Sequence, residues 1–145
     1  MEPDAESNLT VVPITAQGNS ASSTNPLTWT DYQTASAAKV GDGLGFVLNG
    51  DGIVCIDLDH CFDGRPNAEA QALIDSLPDT YIEVSPSGSG LHIWAYAALE
   101  KGRRLNRNGL SVEIYPNGRY LTVTGQAINR APFAHIELDD ILAQR

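Results

Sequence analysis

Three segments of the chain alternate between apolar and ionisable positions with a period of two. In Ile53-Val54-Cys55-Ile56-Asp57-Leu58-Asp59, an extended backbone sends Val54, Ile56 and Leu58 to one face and Cys55, Asp57 and Asp59 to the other. Leu91-His92-Ile93-Trp94 and Val112-Glu113-Ile114-Tyr115 repeat the pattern, each setting one ionisable residue opposite an apolar set. Packed apolar side down, three such strands would leave Asp57, Asp59, His92 and Glu113 on one open face.

The remaining pattern supplies the elements around them. Residues 1–12 are acidic and polar, expected to be flexible, with an edge strand possible over residues 9–14. Thr28, with Asp31 three residues on, reads as the N-cap of a helix that stops near Gly41. Leu44 to Leu48 and Ile53 to Asp59, separated by Asn49-Gly50-Asp51-Gly52, read as a hairpin. A helix from Ala68 to Leu77, with Ala72, Leu73 and Leu77 at helical spacing, is closed by Pro78. Strands follow over Thr80–Val84 and Leu91–Ala97, then a basic loop over residues 100–109. A second hairpin joins Ser111–Tyr115 to Arg119–Thr124 through Pro116-Asn117-Gly118, and Glu137 to Gln144 forms a closing helix. About seven strands and three helices make an α+β domain, expected to run from residue 13 to residue 145.

Length and composition adjust this picture in four ways. A chain of 145 residues suits one domain with a sizeable core. No apolar run approaches the roughly 18 residues a membrane span needs, and the start lacks the basic and apolar regions of a leader, so a soluble cytoplasmic protein with no membrane partner is expected. Cys55 and Cys61 lack CxxC spacing and read as reduced thiols. A net charge of −9 argues against sequence-independent nucleic-acid binding. Yet of nine basic residues, Lys101, Arg103, Arg104 and Arg107 fall within seven positions, one basic patch on an acidic body.

These residue types in this order point to phosphate chemistry. Asp-x-Asp on a strand puts two hard oxygen donors about 6–7 Å apart on one face, suited to Mg²⁺ or Mn²⁺ with substrate phosphates. Glu113 would complete a site for one or two ions, which activate an attacking oxygen and stabilise a leaving one. A solvated strand edge or Asx-turn is the plainer account of Asp57 and Asp59 alone. Ser85-Pro86-Ser87-Gly88-Ser89-Gly90 offers backbone amides and the hydroxyls of Ser87 and Ser89 to a phosphate and delivers His92 to the acid face. An ordinary hairpin loop with a half-buried His would read the same. Trp94 and Tyr96, on the face of His92, either stack on bases or cover the sheet. Arg103 and Arg104 would hold a triphosphate or a template strand, or else belong to a solvated loop, and Arg119 is a further phosphate ligand candidate. The spacing of Cys55, His60, Cys61 and His92 fits no common zinc site.

Three motifs in fixed order, Ile56-Asp57-Leu58-Asp59-His60-Cys61, Ser85 to Ile93, and Val112-Glu113-Ile114-Tyr115 followed by Gly118 to Gly125, resemble the archaeo-eukaryotic primase superfamily, in its phage and plasmid primase-polymerase branch. Ala21 to Trp29 is similar to that branch as well. The resemblance implies an RRM-like antiparallel sheet as catalytic core with a small flanking α/β unit. It implies that Asp57, Asp59 and Glu113 bind the catalytic Mg²⁺ or Mn²⁺ and that His92 contacts the phosphates of an incoming NTP or dNTP. Ser87, Ser89, Arg103, Arg104 and Arg119 are added on the nucleotide side. The implied activity is metal-dependent nucleotidyl transfer on a single-stranded DNA template, as DNA primase or polymerase, alongside a helicase domain or replication partner. A nuclease using the same acids, and a non-catalytic nucleotide- or protein-binding module, are the alternatives. The acidic start departs from relatives that carry a basic, Trp-containing strand there, with a Lys near the position of Val12.

Overall fold

The fold is that of a computed structural model, which describes residues 17–19, 22, 34, 44–107 and 109–142. The expected edge strand over residues 9–14 lies outside them, as does the helix expected from Thr28 apart from Thr34, which is helical.

Among the described residues the strands form two sheets. The alternating segments make the middle of the larger one: β2 (Ile53–Asp59) lies between β4 (Leu91–Tyr96) and β6 (Leu110–Tyr115), antiparallel to both. Beyond β6 the edge is β5 (Arg103–Arg107), and beyond β4 come β3 (Ile82–Val84) and β8 (Ala127–Asn129). The short β9 (Ala134–His135) pairs in parallel with the end of β4 that β3 leaves free.

The apolar face of this sheet is the main core. Val54, Ile56, Leu58, Leu91, Ile93, Val112 and Ile114 are buried there, roughly 2 kcal/mol of transfer free energy for each large side chain. Helix α1 (Ala68–Asp75) covers it with Ala70 and Leu73, one turn apart, while Ala72 stays exposed. Asn67 caps α1, its side chain accepting from the Ala70 amide at 2.9 Å. The helix ends two residues earlier than expected because the Ser76 hydroxyl donates to the Leu73 carbonyl at 2.6 Å and closes the last turn. Ile136, Leu138 and Ile141 complete the core. The Ile136 amide donates to the Tyr96 carbonyl, which keeps the chain extended, so helix α2 spans Asp139–Leu142 and starts later than Glu137.

The smaller sheet overturns both expected hairpins. It pairs β1 (Leu44–Asn49) antiparallel with β7 (Asn117–Val123), so β1 does not pair with β2, nor β6 with β7. Between β6 and β7 the single bend residue Pro116 leaves no room for the two-residue turn a hairpin requires, and the chain changes sheets instead. Gly50 and Gly52, at φ of 85° and 96°, make the matching exit from β1, with the Gly50 amide on the Pro116 carbonyl at 3.0 Å. The hairpin in this part of the chain is β5–β6, and the expected basic loop is its first strand.

The smaller sheet packs on the polar face of the larger one. Leu48, Cys55 and Trp94 are buried between the two, with Phe46 edge-on to Trp94 at 5.5 Å and Phe133 stacked on it at 6.0 Å. Trp94 therefore covers the sheet and is not available to stack on a base; Tyr96, partly exposed, lies against His135 at 5.0 Å.

Candidate functional site

The register of the larger sheet lines up five ionisable residues in one row. Arg104 on β5 stands opposite Glu113 on β6, Glu113 opposite Asp57 on β2, Asp57 opposite His92 on β4, and His92 opposite Glu83 on β3. Directly opposed residues share a face with Cβ atoms about 5 Å apart, so the row is continuous across five strands. Cys55, one pleat back along β2, lies under the smaller sheet, and Asp59, one pleat forward opposite Ser111, is exposed.

The row is buried at one end and open at the other. Glu83 has no exposure and His92 only 3%, whereas the Asp57 and Glu113 side chains are 25% and 22% exposed and Arg104 70%. His92 Nδ1 is 3.2 Å from Glu83 Oε2, and Nε2 is 3.7 Å from Asp57 Oδ1. Arg104 Nε donates to Glu113 Oε2 at 3.1 Å. Burial pushes the Asp57 carboxyl up to about 6; His92 opposes the shift, and the charges of Asp59 and Glu113 add to it. Burial alone would also raise Glu83, but hydrogen bonds from His92, the Gly125 and Thr124 amides and the Tyr81 hydroxyl hold it below the usual carboxylate range.

The Gly/Ser turn is fastened to the end of the Asp-x-Asp strand. His60, directly after Asp59, takes a left-handed φ of 53°, uncommon for a residue other than glycine. That bend turns the Cys61 and Phe62 amides onto the Ser89 carbonyl, at 2.8 and 3.0 Å. On the other side Gly90 lies so close to the Leu58 carbonyl oxygen that a Cβ would collide with it. Ser85, Ser87 and Ser89 form a hydroxyl chain with steps of 3.1 Å, Ser87 exposed and Ser89 partly so.

The basic residues divide. Arg104 faces the row, but Arg103 stands opposite Ile114 and so points to the other side of the sheet, away from Asp57. Strand alternation separates the two, which a loop would not have done. The Arg119 guanidinium lies 4.0 Å over the Tyr115 ring, and Tyr115 shares the face of Glu113. Both thiols are buried, Cys55 raised well above its usual value by burial, with Asp57 and Glu83 adding, and Cys61 pushed up to about 11 by burial.

The donor set suits a hard divalent cation: three carboxylates on one face, with Asp57 raised because burial and neighbouring negative charge disfavour its ionised form. Among the described residues no three His, Cys, Asp or Glu side chains stand close enough to hold an ion as they are placed, and Glu113 is paired with Arg104. Glu83 is not among the residues that the sequence pattern singles out. Its signal was there, since a Ser85–Gly90 hairpin puts Glu83 directly opposite His92.

Fold and row together define an α+β domain that carries carboxylates and a histidine on one sheet face beside a Gly/Ser turn. No family model matches the chain. Over 121 residues it is 39% identical to the DNA primase-polymerase of Nitratiruptor phage NrS-1, an alignment that takes in 77% of this chain and 17% of that protein. The chain thus corresponds to a minor part of its relative's length, and the similarity supports a primase-polymerase domain. No helix among the described residues is long and apolar enough to cross a membrane.

Proposed function

We propose that this domain joins nucleotides from NTP or dNTP on a single-stranded DNA template, as the nucleotidyl-transfer part of a DNA primase-polymerase. The observation that carries the reading is the register that sets Glu113, Asp57 and His92 side by side across three strands. The likeness to the phage primase-polymerase supports reading nucleotidyl transfer onto that row. The larger sheet is then the RRM-like core of the archaeo-eukaryotic primase superfamily, and the β1–β7 pair belongs to the flanking unit.

Asp57, Asp59 and Glu113 are the residues that would hold Mg²⁺ or Mn²⁺. Bound there, the ions would supply Lewis-acid stabilisation of charge on the attacking and leaving oxygens. The chain's own part is positioning. The Gly/Ser turn, clamped by the Cys61 and Phe62 amides, presents Ser87 and Ser89 to the phosphates. His92 Nε2 reaches the same phosphates beside Asp57. Arg104 leaves Glu113 when the site fills and meets the triphosphate charge, and Arg119 adds a second cation from β7.

Primer extension and de novo synthesis on a single-stranded template, with Mg²⁺ or Mn²⁺, test this. Extension supports the reading. Template degradation would assign the acids to a nuclease, and nucleotide binding without incorporation would make the domain a non-catalytic binding module.

A further inference from the structure

We propose that Glu83 is a positioning residue for the transfer reaction: it fixes the tautomer and the ring plane of His92, so that Nε2 is the nitrogen that meets the nucleotide. The inference rests on the function proposed above for its catalytic consequence, but the tautomer itself does not.

Glu83 accepts from every side. The Tyr81 hydroxyl and the Gly125 amide donate to Oε1, both at 3.1 Å. Oε2 lies 3.4 Å from Trp94 Nε1, 3.3 Å from the Thr124 amide and 3.2 Å from His92 Nδ1. The indole N–H and both backbone amides are donors only and, with the Tyr81 hydroxyl, converge on its two oxygens; they stabilise the ionised form and hold the pKa below the usual carboxylate range, so at neutral pH the carboxylate is acceptor-only. The fifth partner must then be a donor as well: Nδ1 of His92 carries a hydrogen. Whether or not Nε2 is also protonated, Nδ1 is spoken for and Nε2 is the nitrogen turned toward Asp57.

The same carboxylate ties the site to the smaller sheet. Thr124 and Gly125 leave β7 with both amides on Glu83, Gly125 at a φ of 71° that lets its N–H turn inward. The Thr124 hydroxyl donates to the Val84 carbonyl at 2.6 Å, fixing this corner to β3. The ring of His92 is held between that anchor and the Trp94 edge, 6.2 Å between centroids.

The direct test is nitrogen-15 NMR of the histidine side chains in the wild-type domain, with no nucleotide or metal. Protonated Nδ1 in His92 is expected; a bare Nδ1 with the hydrogen on Nε2 would overturn the proposal, and the result stands whatever the domain synthesises. The kinetic test is a cycle of Glu83→Gln and His92→Ala. Loss of an orienting partner typically costs about tenfold, so Glu83→Gln should raise the KM for nucleotide about tenfold with a smaller change in kcat. In the His92→Ala background the same substitution should leave KM unchanged. An equal loss in both backgrounds would show Glu83 to be merely structural.

Discussion

Glu83 and Glu113 occupy matching places with two strands between them, one on each side of the Asp57–His92 pair, and their surroundings differ in every respect. Glu83 is fully buried with five donors around it, among them two backbone amides. Glu113 is partly exposed and holds one flexible, solvent-facing arginine. A carboxylate satisfied by fixed backbone cannot be given to a ligand without leaving buried amides unpaired. One satisfied by a mobile side chain can exchange it at little cost. The row is thus anchored at the β3 end and open to exchange at the β6 end, with Asp57 between.

The largest expected effect lies at the open end. Asp57→Asn and Glu113→Gln should each lower nucleotide incorporation at least about a thousandfold, as loss of a principal electrostatic group does, while circular dichroism stays unchanged. Next comes the anchored end. Glu83→Ala should cost about 3 kcal/mol or more in chemical denaturation, because it strands His92, Trp94 Nε1 and the Thr124 and Gly125 amides. Glu113→Ala, measured the same way, should cost less than about 1 kcal/mol. Equal costs would erase the contrast between the two ends.

Acidity separates the residues further. The folded pKa of Asp57 is raised, so its carboxyl favours the fold while protonated, and that contribution is lost as pH rises from the usual carboxylate range through about 6. Glu83 runs the other way: its pKa is lowered, and its contribution is present at neutral pH and lost as pH falls through the folded value. In metal-free buffer, the Asp57→Asn variant should therefore gain on the wild type in melting temperature as pH rises from about 4 to 6, and added Mn²⁺ should raise the wild type's melting temperature at pH 7 but not the variant's. The smallest effect belongs to Arg104→Ala, within about 0.5 kcal/mol of wild type in stability, with a higher KM for nucleotide as its main mark.

Asp57, His92 and Glu113, the middle of the row, were legible because strict alternation reveals which side chains share a face of one strand. Which strands pair is a different matter. Asn49-Gly50-Asp51-Gly52 and Pro116-Asn117-Gly118 have turn composition, but turn chemistry does not reveal whether the chain folds back on the preceding strand or crosses to another sheet. The decision falls to long-range packing, here the burial of Leu48 and Phe46 against Cys55 and Trp94. Strand β5 was hidden because Arg103-Arg104-Leu105-Asn106-Arg107 has one apolar position, and an exposed edge strand needs no more. That concealment put Arg103 and Arg104 together, where alternation sends them to opposite faces. Glu83 carries no such mark, because a single acid in a short apolar strand has no period of its own, and only the β3–β4 register gives it a partner.

Nucleotides are proposed to be joined at the Glu113–Asp57–His92 row. Incorporation of labelled nucleotide on a primed single-stranded template, by wild type and Asp57→Asn side by side in Mn²⁺, tests it most directly. Extension by the wild type and none by the variant, at equal folded concentration, is the expected result. Extension by both at similar rates would place the chemistry elsewhere in the molecule.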